Sequence, residues 1–142
     1  MIGKAYDRFT VDVEKGRLRA FAKAIGETNP IYLDEEAARK AGYQSIPAPP
    51  TFPFVAAMEA NQPFLILADM GIDKTRSVHG EQHFTYHKPI VAGDVLVGQQ
   101  RIVEMYDKKG GALTFIVTET RLENQLSEHV CDMRTVIVVR NS

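Results

Sequence analysis

The segment from Pro53 to Met70 constrains the fold more than any other part of the chain, because it is apolar almost all round and carries few charges. A helix without a polar face has to be buried on every side. Four prolines within residues 47–53 force an extended approach, and Pro50 or Pro53 can begin the helix because a proline there loses no helical hydrogen bond. Pro63 predicts a jog within the helix. The segment therefore predicts a central helix enclosed by the rest of the chain.

The second half of the chain has four β-rich runs that are suited to enclosing such a helix. They are RSVHGEQHFTYH, DVLVGQQRIVEMYD, ALTFIVTETRLEN and HVCDMRTVIVVR, with DKKGG and NQLS as turns after the second and third runs. In the third run Leu113, Phe115 and Val117 alternate with threonines and Ile116, and one strongly apolar face is typical of an antiparallel sheet packed on one side. The sequence predicts an α+β fold, a long antiparallel sheet wrapped around one apolar helix, in a single domain over residues 1–142.

The first third of the chain combines short helices with loops. Phe9 to Val11 predict a short strand, and Thr10 or Asp12 is expected to cap a helix over about Glu14 to Ile25. Asp34 is expected to cap a second helix in EEAARKAG, whose acidic first turn and basic last turn suit the helix dipole. The loop between these two helices carries the candidate site.

Charge and composition argue against several classes of function. The chain has 17 Lys+Arg against 18 Asp+Glu and no basic block, so nucleic acid is not expected as a partner. It has neither a signal-like start nor about 18 consecutive apolar residues, so we expect no membrane association and a cytoplasmic location. One cysteine and widely spaced histidines indicate no metal site, and nucleotide-binding patterns such as GxGxxG are absent. Cys131, in a strand-like run, is expected to be a small buried hydrophobe.

The loop Gly26-Glu27-Thr28-Asn29-Pro30-Ile31-Tyr32 is laid out like a catalytic loop that runs into a helix. Asn29 before Pro30 favours a turn, and a buried amide that holds the loop or a ligand is the alternative. Glu27 is either a solvated residue after a helix or a site carboxylate. Tyr32 either packs over the loop or takes part in proton transfer.

This loop and its context resemble the MaoC-like (R)-specific enoyl-thioester hydratases and dehydratases, in particular their N-terminal-type dehydratase half. The loop of that family reads Gly-Asp-x-Asn-Pro-aliphatic-His, with a small residue in the following helix, here Ala38. GYQSIPAPPTF corresponds to the segment that leads into the family's central helix, and EQHFTYHKPIVAGDVL to a strand, a Lys-Pro-Ile turn and the next strand. The resemblance covers nearly the whole chain and implies a single hot-dog domain.

In the resembled family the Asp and His of this loop act together on one water, which is added to a trans-2-enoyl thioester or removed from a 3-hydroxyacyl thioester. The resemblance makes Glu27, Tyr32 and Asn29 the candidate catalytic residues, with Glu27 in the Asp place and Tyr32 in the His place. Glutamate moves the carboxyl group by one methylene, and a phenol with a pKa of about 10 is a poor base at neutral pH. Both members of the acid–base pair are therefore altered.

Two segments are predicted to bind the substrate. Backbone N–H groups at the start of the central helix suit a thioester oxygen on which negative charge builds. A second segment lies in the first β-rich run, where Gly80 indicates a bulge or the close approach of another chain or ligand. His79 or His83, beside Glu81, either has a polar-face role there or is the place to look for an acid–base pair rebuilt outside the loop. His79, His83 and His87 are expected on one face of this strand, each about 13 Å from the next, which is too far to share a metal. The predicted binding residues are Ala48, Pro49, Pro50, Thr51, Phe52, His79, Gly80 and Glu81.

The resemblance implies a hydro-lyase of fatty acid metabolism, with coenzyme A or an acyl carrier as part of the substrate and no other cofactor. It also implies a dimer. This is either a homodimer or a heterodimer in which a MaoC-like partner supplies an intact Asp and His while this chain binds the substrate. The alternatives are a hot-dog acyl-CoA thioesterase and a non-catalytic acyl-thioester binding module.

Overall fold

The computed structural model describes residues 1–141, which form one five-stranded antiparallel sheet and four α-helices. The strands lie in the order β1-β3-β4-β5-β2, so β1 and β2 are the edges of the sheet. The predicted α+β architecture is confirmed. In chain order the elements are β1 (Phe9–Asp12), α1 (Lys15–Ala24), α2 (Glu35–Lys40), α3 (Phe52–Glu59), α4 (Gln62–Asp69), β2 (Ser77–Tyr86), β3 (Val95–Lys108), β4 (Leu113–Glu123) and β5 (His129–Arg140).

The first two helices begin differently. The N-cap position of α1 is Glu14, because Thr10 and Asp12 lie in β1 and pair with β3. The prediction that Thr10 or Asp12 caps this helix is therefore wrong, since the strand runs closer to the helix than expected. Asp34 caps α2 as predicted, and its Oδ1 accepts a hydrogen bond from Glu36 N at 3.2 Å.

The central apolar segment forms two helices, α3 and α4, separated at Asn61. Asn61 has a left-handed backbone with φ of 59°, and Pro63 lies in the first turn of α4, where a missing N–H is tolerated. The predicted jog near Pro63 is confirmed. Burial is less complete than predicted, because Met58 and Leu65 are 37% and 38% exposed. Within residues 1–141 no helix combines the length and the apolar character needed to cross a membrane.

The helices pack against the side of the sheet that carries Ile116 and Leu122 of β4. The more apolar set of alternating side chains, Leu113, Phe115 and Val117, lies on the other side of β4, although Val117 is itself only 1% exposed. Phe115 lies on the outer side, where its ring stacks on an aromatic ring of β3 with centroids 4.9 Å apart. Alternation alone did not decide the orientation, because both sets of side chains contain apolar residues.

A buried amide pair joins the break between α3 and α4 to the sheet. Gln62 at the start of α4 and Gln100 in β3 are 4% and 2% exposed. Gln100 Nε2 donates hydrogen bonds to the Gln62 main-chain carbonyl at 2.6 Å and to Gln62 Oε1 at 2.8 Å. Because buried amides need partners, this pair fixes where the helix break lies over the sheet.

The two predicted turns and the predicted burial of Cys131 are confirmed. A short 3₁₀ turn at Lys109–Gly111 joins β3 to β4. In the turn between β4 and β5, Asn124 Oδ1 accepts hydrogen bonds from the backbone of Leu126 and Glu128. Cys131 is buried, and burial raises the pKa of its thiol to about 12, so it remains protonated.

Candidate active site

The loop between α1 and α2 is held by hydrogen bonds within itself. Glu27 Oε1 accepts hydrogen bonds from Thr28 N and Asn29 N, both at 3.0 Å. Asn29 Oδ1 in turn accepts from Ile31 N at 3.2 Å, which makes Asn29 the N-cap of a 3₁₀ turn at Pro30–Tyr32. Asn29 therefore has the turn role considered for it, and one oxygen of the Glu27 carboxylate is committed to the loop backbone.

Tyr32 lies partly buried beside the same loop. Burial, followed by the nearby Glu27 carboxylate and Tyr43 phenol, raises the pKa of the Tyr32 phenol. Because a phenol already titrates near pH 10, a raised pKa keeps Tyr32 protonated at neutral pH. Tyr32 is thus able to donate a hydrogen bond or a proton, but it is unsuited to act as a general base.

Tyr86, at the end of β2, is a neighbour of this loop that the sequence did not reveal. Its hydroxyl donates a hydrogen bond to the carbonyl oxygen of Pro50, on the approach to α3. Burial raises the pKa of Tyr86 above its usual range, and Cys131 and Tyr32 add to the effect. The loop, the end of β2 and the approach to α3 therefore meet. A tyrosine at the end of a strand carries no local signal for a contact that joins positions 36 residues apart.

The approach to α3 keeps one main-chain donor for a ligand. The N–H groups of Ala48 and Phe52 already donate to main-chain carbonyls, at 2.7 and 2.9 Å. Pro49 and Pro50 have no N–H to offer. In this described segment the N–H of Thr51 is the one without a main-chain partner, and it lies at the N-terminus of α3, where the helix dipole favours negative charge.

The second predicted segment is divided by a β-bulge. The register of β2 against β5 shifts between His79 and Glu81, and a Cβ atom on Gly80 would lie 2.9 Å from a methyl group of β5. The bulge turns His79 toward the helices, where its ring centroid lies 4.9 Å from that of Phe54. It turns Glu81 to the outer face, 3.4 Å from His83 Nε2. The prediction that His79 and His83 share a face is therefore wrong, and His79 and Glu81 do not form a pair in one pocket.

The structure brings the loop to the approach to α3, but it does not bring the bulged segment there. His79 and Tyr86 lie roughly 23 Å apart along β2, at about 3.3 Å per residue. His79 instead borders an apolar cavity of about 310 Å³ between α3, α4 and β2. The cavity begins one helical turn beyond Thr51 and continues along α3. Its lining includes Phe54, Met58, Phe64, Leu67, Val78 and His79.

An antiparallel sheet around a broken apolar helix, with an Asn-Pro loop near the start of that helix, defines the class of hot-dog dehydratases and hydratases. The chain belongs to the family described as FAS1-like, dehydratase domain region, whose model matches residues 1–133. The resemblance to MaoC-like hydratases and dehydratases is confirmed.

Individual relatives agree with this assignment. A UPF0336 protein of Clavibacter michiganensis subsp. michiganensis is 39% identical over 128 residues, which are 90% of this chain and 85% of that protein. One chain of the C-terminally truncated HadBC (3R-hydroxyacyl-ACP dehydratase) complex from Mycobacterium tuberculosis is 29% identical, with a TM-score of 0.83 and 96% of each chain covered. A MaoC-like dehydratase has a TM-score of 0.87 at 24% identity. The match covers 99% of this chain and 42% of that chain, and it supports the fold alone.

Proposed function

We propose that this chain is the substrate-binding subunit of an acyl-thioester hydratase or dehydratase, in a dimer with a second hot-dog chain that supplies the catalytic Asp and His. The observation that carries the proposal is the state of the loop. Glu27 Oε1 is engaged by two backbone N–H groups, and Tyr32 has a raised pKa. Removing a proton from water or from a substrate carbon needs a base at neutral pH; Tyr32 stays protonated there, and Glu27 keeps only one carboxylate oxygen outside these loop contacts.

The apolar cavity supports binding of an acyl chain. It begins about one helical turn from Thr51, whose free N–H suits the thioester carbonyl oxygen. An acyl chain that leaves this carbonyl along α3 reaches Phe54 and then Met58. Burial of each CH₂ group in such a cavity contributes about 0.8 kcal/mol.

The exposed edge of the sheet supports a second hot-dog chain as the partner. β2 is an edge strand of ten residues, and most of its residues are exposed, Val78 among them at 47%. A long open edge with unpaired backbone groups is normally covered by another chain or element. The M. tuberculosis HadBC relative is itself a complex.

The test is a turnover assay with trans-2-enoyl-CoA substrates of several chain lengths, in which loss of the conjugated enoyl absorbance is followed. The chain is assayed alone, as Glu27→Ala and Tyr32→Phe variants, and after co-expression with a hot-dog chain from the same genome that contains Gly-Asp-x-Asn-Pro-x-His. We expect acyl-CoA binding without turnover by the chain alone, and turnover by the pair. Turnover by the chain alone that is lost in Glu27→Ala would instead identify a self-sufficient enzyme.

A matched pair of variants tests the acyl cavity. Met58 borders the cavity and is partly exposed, so Met58→Glu places a charge there without disrupting the core. Leu126, in the turn between β4 and β5, is 71% exposed, and Leu126→Glu is the control. Binding of a saturated long-chain acyl-CoA, measured by calorimetry, should weaken at least tenfold in Met58→Glu and remain unchanged in Leu126→Glu. Equal affinities of the two variants would contradict the assignment of the cavity.

A further inference from the structure

Two histidines and an aspartate converge where the end of β2 meets the start of β5. His87 Nε2 lies 2.9 Å from Asp132 Oδ2, and His129 Nε2 lies 2.7 Å from Asp132 Oδ1. The two imidazole rings are 4.1 Å apart between centroids. One ligand-capable atom from each of the three residues lies within 4.8 Å of the others. We infer that His87, His129 and Asp132 form a binding site for a divalent transition-metal ion, with Zn²⁺ as its best representative.

A β-bulge creates the cluster. Residues three apart on a regular strand point to opposite faces, so His129 and Asp132 would be separated. The register of β4 against β5 shifts so that Leu122 pairs with Cys131 and Glu123 pairs with His129, which leaves Val130 as the extra residue. Such a bulge re-aims side chains, and here it returns His129 to the face of Asp132.

A main-chain hydrogen bond brings His87, the third residue of the cluster, into position. His87 N donates a hydrogen bond to Val130 O at 2.9 Å, directly beside the bulge. His87, directly after β2, and the two residues of β5 are therefore held at a common point before any ligand arrives. Preorganisation of this kind lowers the cost of binding.

The donor set selects the class of metal. Two imidazole nitrogens and one carboxylate suit Zn²⁺ and neighbouring first-row metals, whereas Mg²⁺ and Ca²⁺ prefer oxygen ligands alone. Zn²⁺ binds such atoms at about 2.0–2.2 Å, so the present pairs need to separate by roughly half an ångström. The three side chains are 26–42% exposed, which leaves them room to move and leaves water as the remaining ligand.

Arg121 opposes metal binding in the present arrangement. Its Nη1 lies 3.2 Å from His129 Nδ1, and because a guanidinium only donates, Nδ1 acts as the acceptor and the proton of a neutral ring is on Nε2. A metal on Nε2 requires the other tautomer, with the proton on Nδ1. Arg121 must therefore withdraw, and its Nε already lies 3.4 Å from Glu123 Oε1, an alternative partner.

The position of the site links it to the candidate active site. His87 directly follows Tyr86, whose hydroxyl bonds to Pro50 at the approach to α3. An ion shared by His87 and the two residues of β5 would cross-link the end of β2 to the sheet. It would thereby hold Tyr86 in place.

The test uses the full chain without a histidine tag. Zn²⁺ affinity is measured by competition with a chromophoric chelator, and thermal unfolding is followed with and without Zn²⁺. We expect one Zn²⁺ per chain, a higher melting temperature in its presence, and no such shift with Mg²⁺. His87→Gln and Asp132→Asn should each weaken Zn²⁺ binding at least tenfold.

Two further variants make the result specific. His83→Gln, on the outer face of β2 and beside Glu81, should leave the Zn²⁺ affinity unchanged. Arg121→Gln should raise the affinity several-fold, because an amide oxygen is able to accept the Nδ1–H of metal-bound His129. No Zn²⁺ binding at millimolar concentration, or an equal loss in His83→Gln and His87→Gln, overturns the inference. Melting temperatures of the metal-free variants separate loss of binding from loss of folding.

Discussion

Gly98 of β3 lies where a single methyl group is too large. A Cβ atom at this position would lie 2.3 Å from Phe9 Cζ and 2.8 Å from Leu122 Cδ2. Gly98→Ala should therefore lower the free energy of unfolding by about 1–3 kcal/mol, because the Phe9 ring and its neighbours have to shift. Urea unfolding followed by circular dichroism measures the change.

Gly16→Ala is the matched control at the residue scale. Gly16 lies in the first turn of α1, and a Cβ atom there would meet nothing within 4 Å. Alanine favours a helix over glycine by up to about 1 kcal/mol, so Gly16→Ala should not lose stability. Similar losses for the two variants would show that close packing around Gly98 is not the cause.

The amide pair of Gln62 and Gln100 acts at the scale of elements, because it connects a helix start to a strand. Gln100→Leu should cost about 1–3 kcal/mol, since it leaves the buried carbonyl groups of Gln62 without their donor. The double variant Gln62→Leu with Gln100→Leu should lose less than the sum of the single variants. Denaturant unfolding of the unchanged chain, the two single variants and the double variant gives the coupling free energy between the two glutamines. Strictly additive losses would contradict the proposed interaction. Gln44→Leu, at an exposed position, controls for the substitution itself.

Whole-molecule stability should depend on pH through carboxylates that join distant parts of the chain. Lys4 and Tyr6 donate hydrogen bonds to Asp69 of α4, and these lower the pKa of its carboxyl group. A lowered folded-state pKa contributes stability that is complete above the unfolded value of 3.8 and is lost as the pH falls through the folded value. The pKa values of Glu35 and Glu128 are lowered in the same direction. Urea midpoints should therefore be steady near neutral pH and fall below about pH 4.

At alkaline pH the stability should change with pH in the opposite direction. Burial, followed by Asp69, raises the pKa of Tyr6 from 10.0 to about 12. The contribution of the Tyr6 hydroxyl to folding stability is therefore complete below pH 10 and is lost as the pH rises toward 12. Asp69→Asn should reduce the loss of stability at both acidic and alkaline pH. Asp7→Asn, at an exposed aspartate next to Tyr6, should leave both losses unchanged. Unchanged curves for Asp69→Asn would contradict the role of this contact.

Features that depend on a few neighbouring residues were predictable from the sequence. The cap of α2 at Asp34, the turn at Asn29 and the break near Pro63 all follow from local backbone preferences. The apolar character of residues 53–70 and the β-rich second half predicted the architecture, because a helix without a polar face needs a sheet to enclose it. The altered loop at Glu27 and Tyr32 was likewise visible in the sequence.

Only the tertiary structure decided which side of each strand faces the helices and which distant side chains meet. Alternation has a period of two and does not specify the buried side, and one bulge residue reverses it, as at Gly80 and at Val130. The contact of Tyr86 with Pro50 and the cluster of His87, His129 and Asp132 join segments far apart in the chain. Such contacts depend on register and on packing of the whole sheet, which no local pattern of residues encodes.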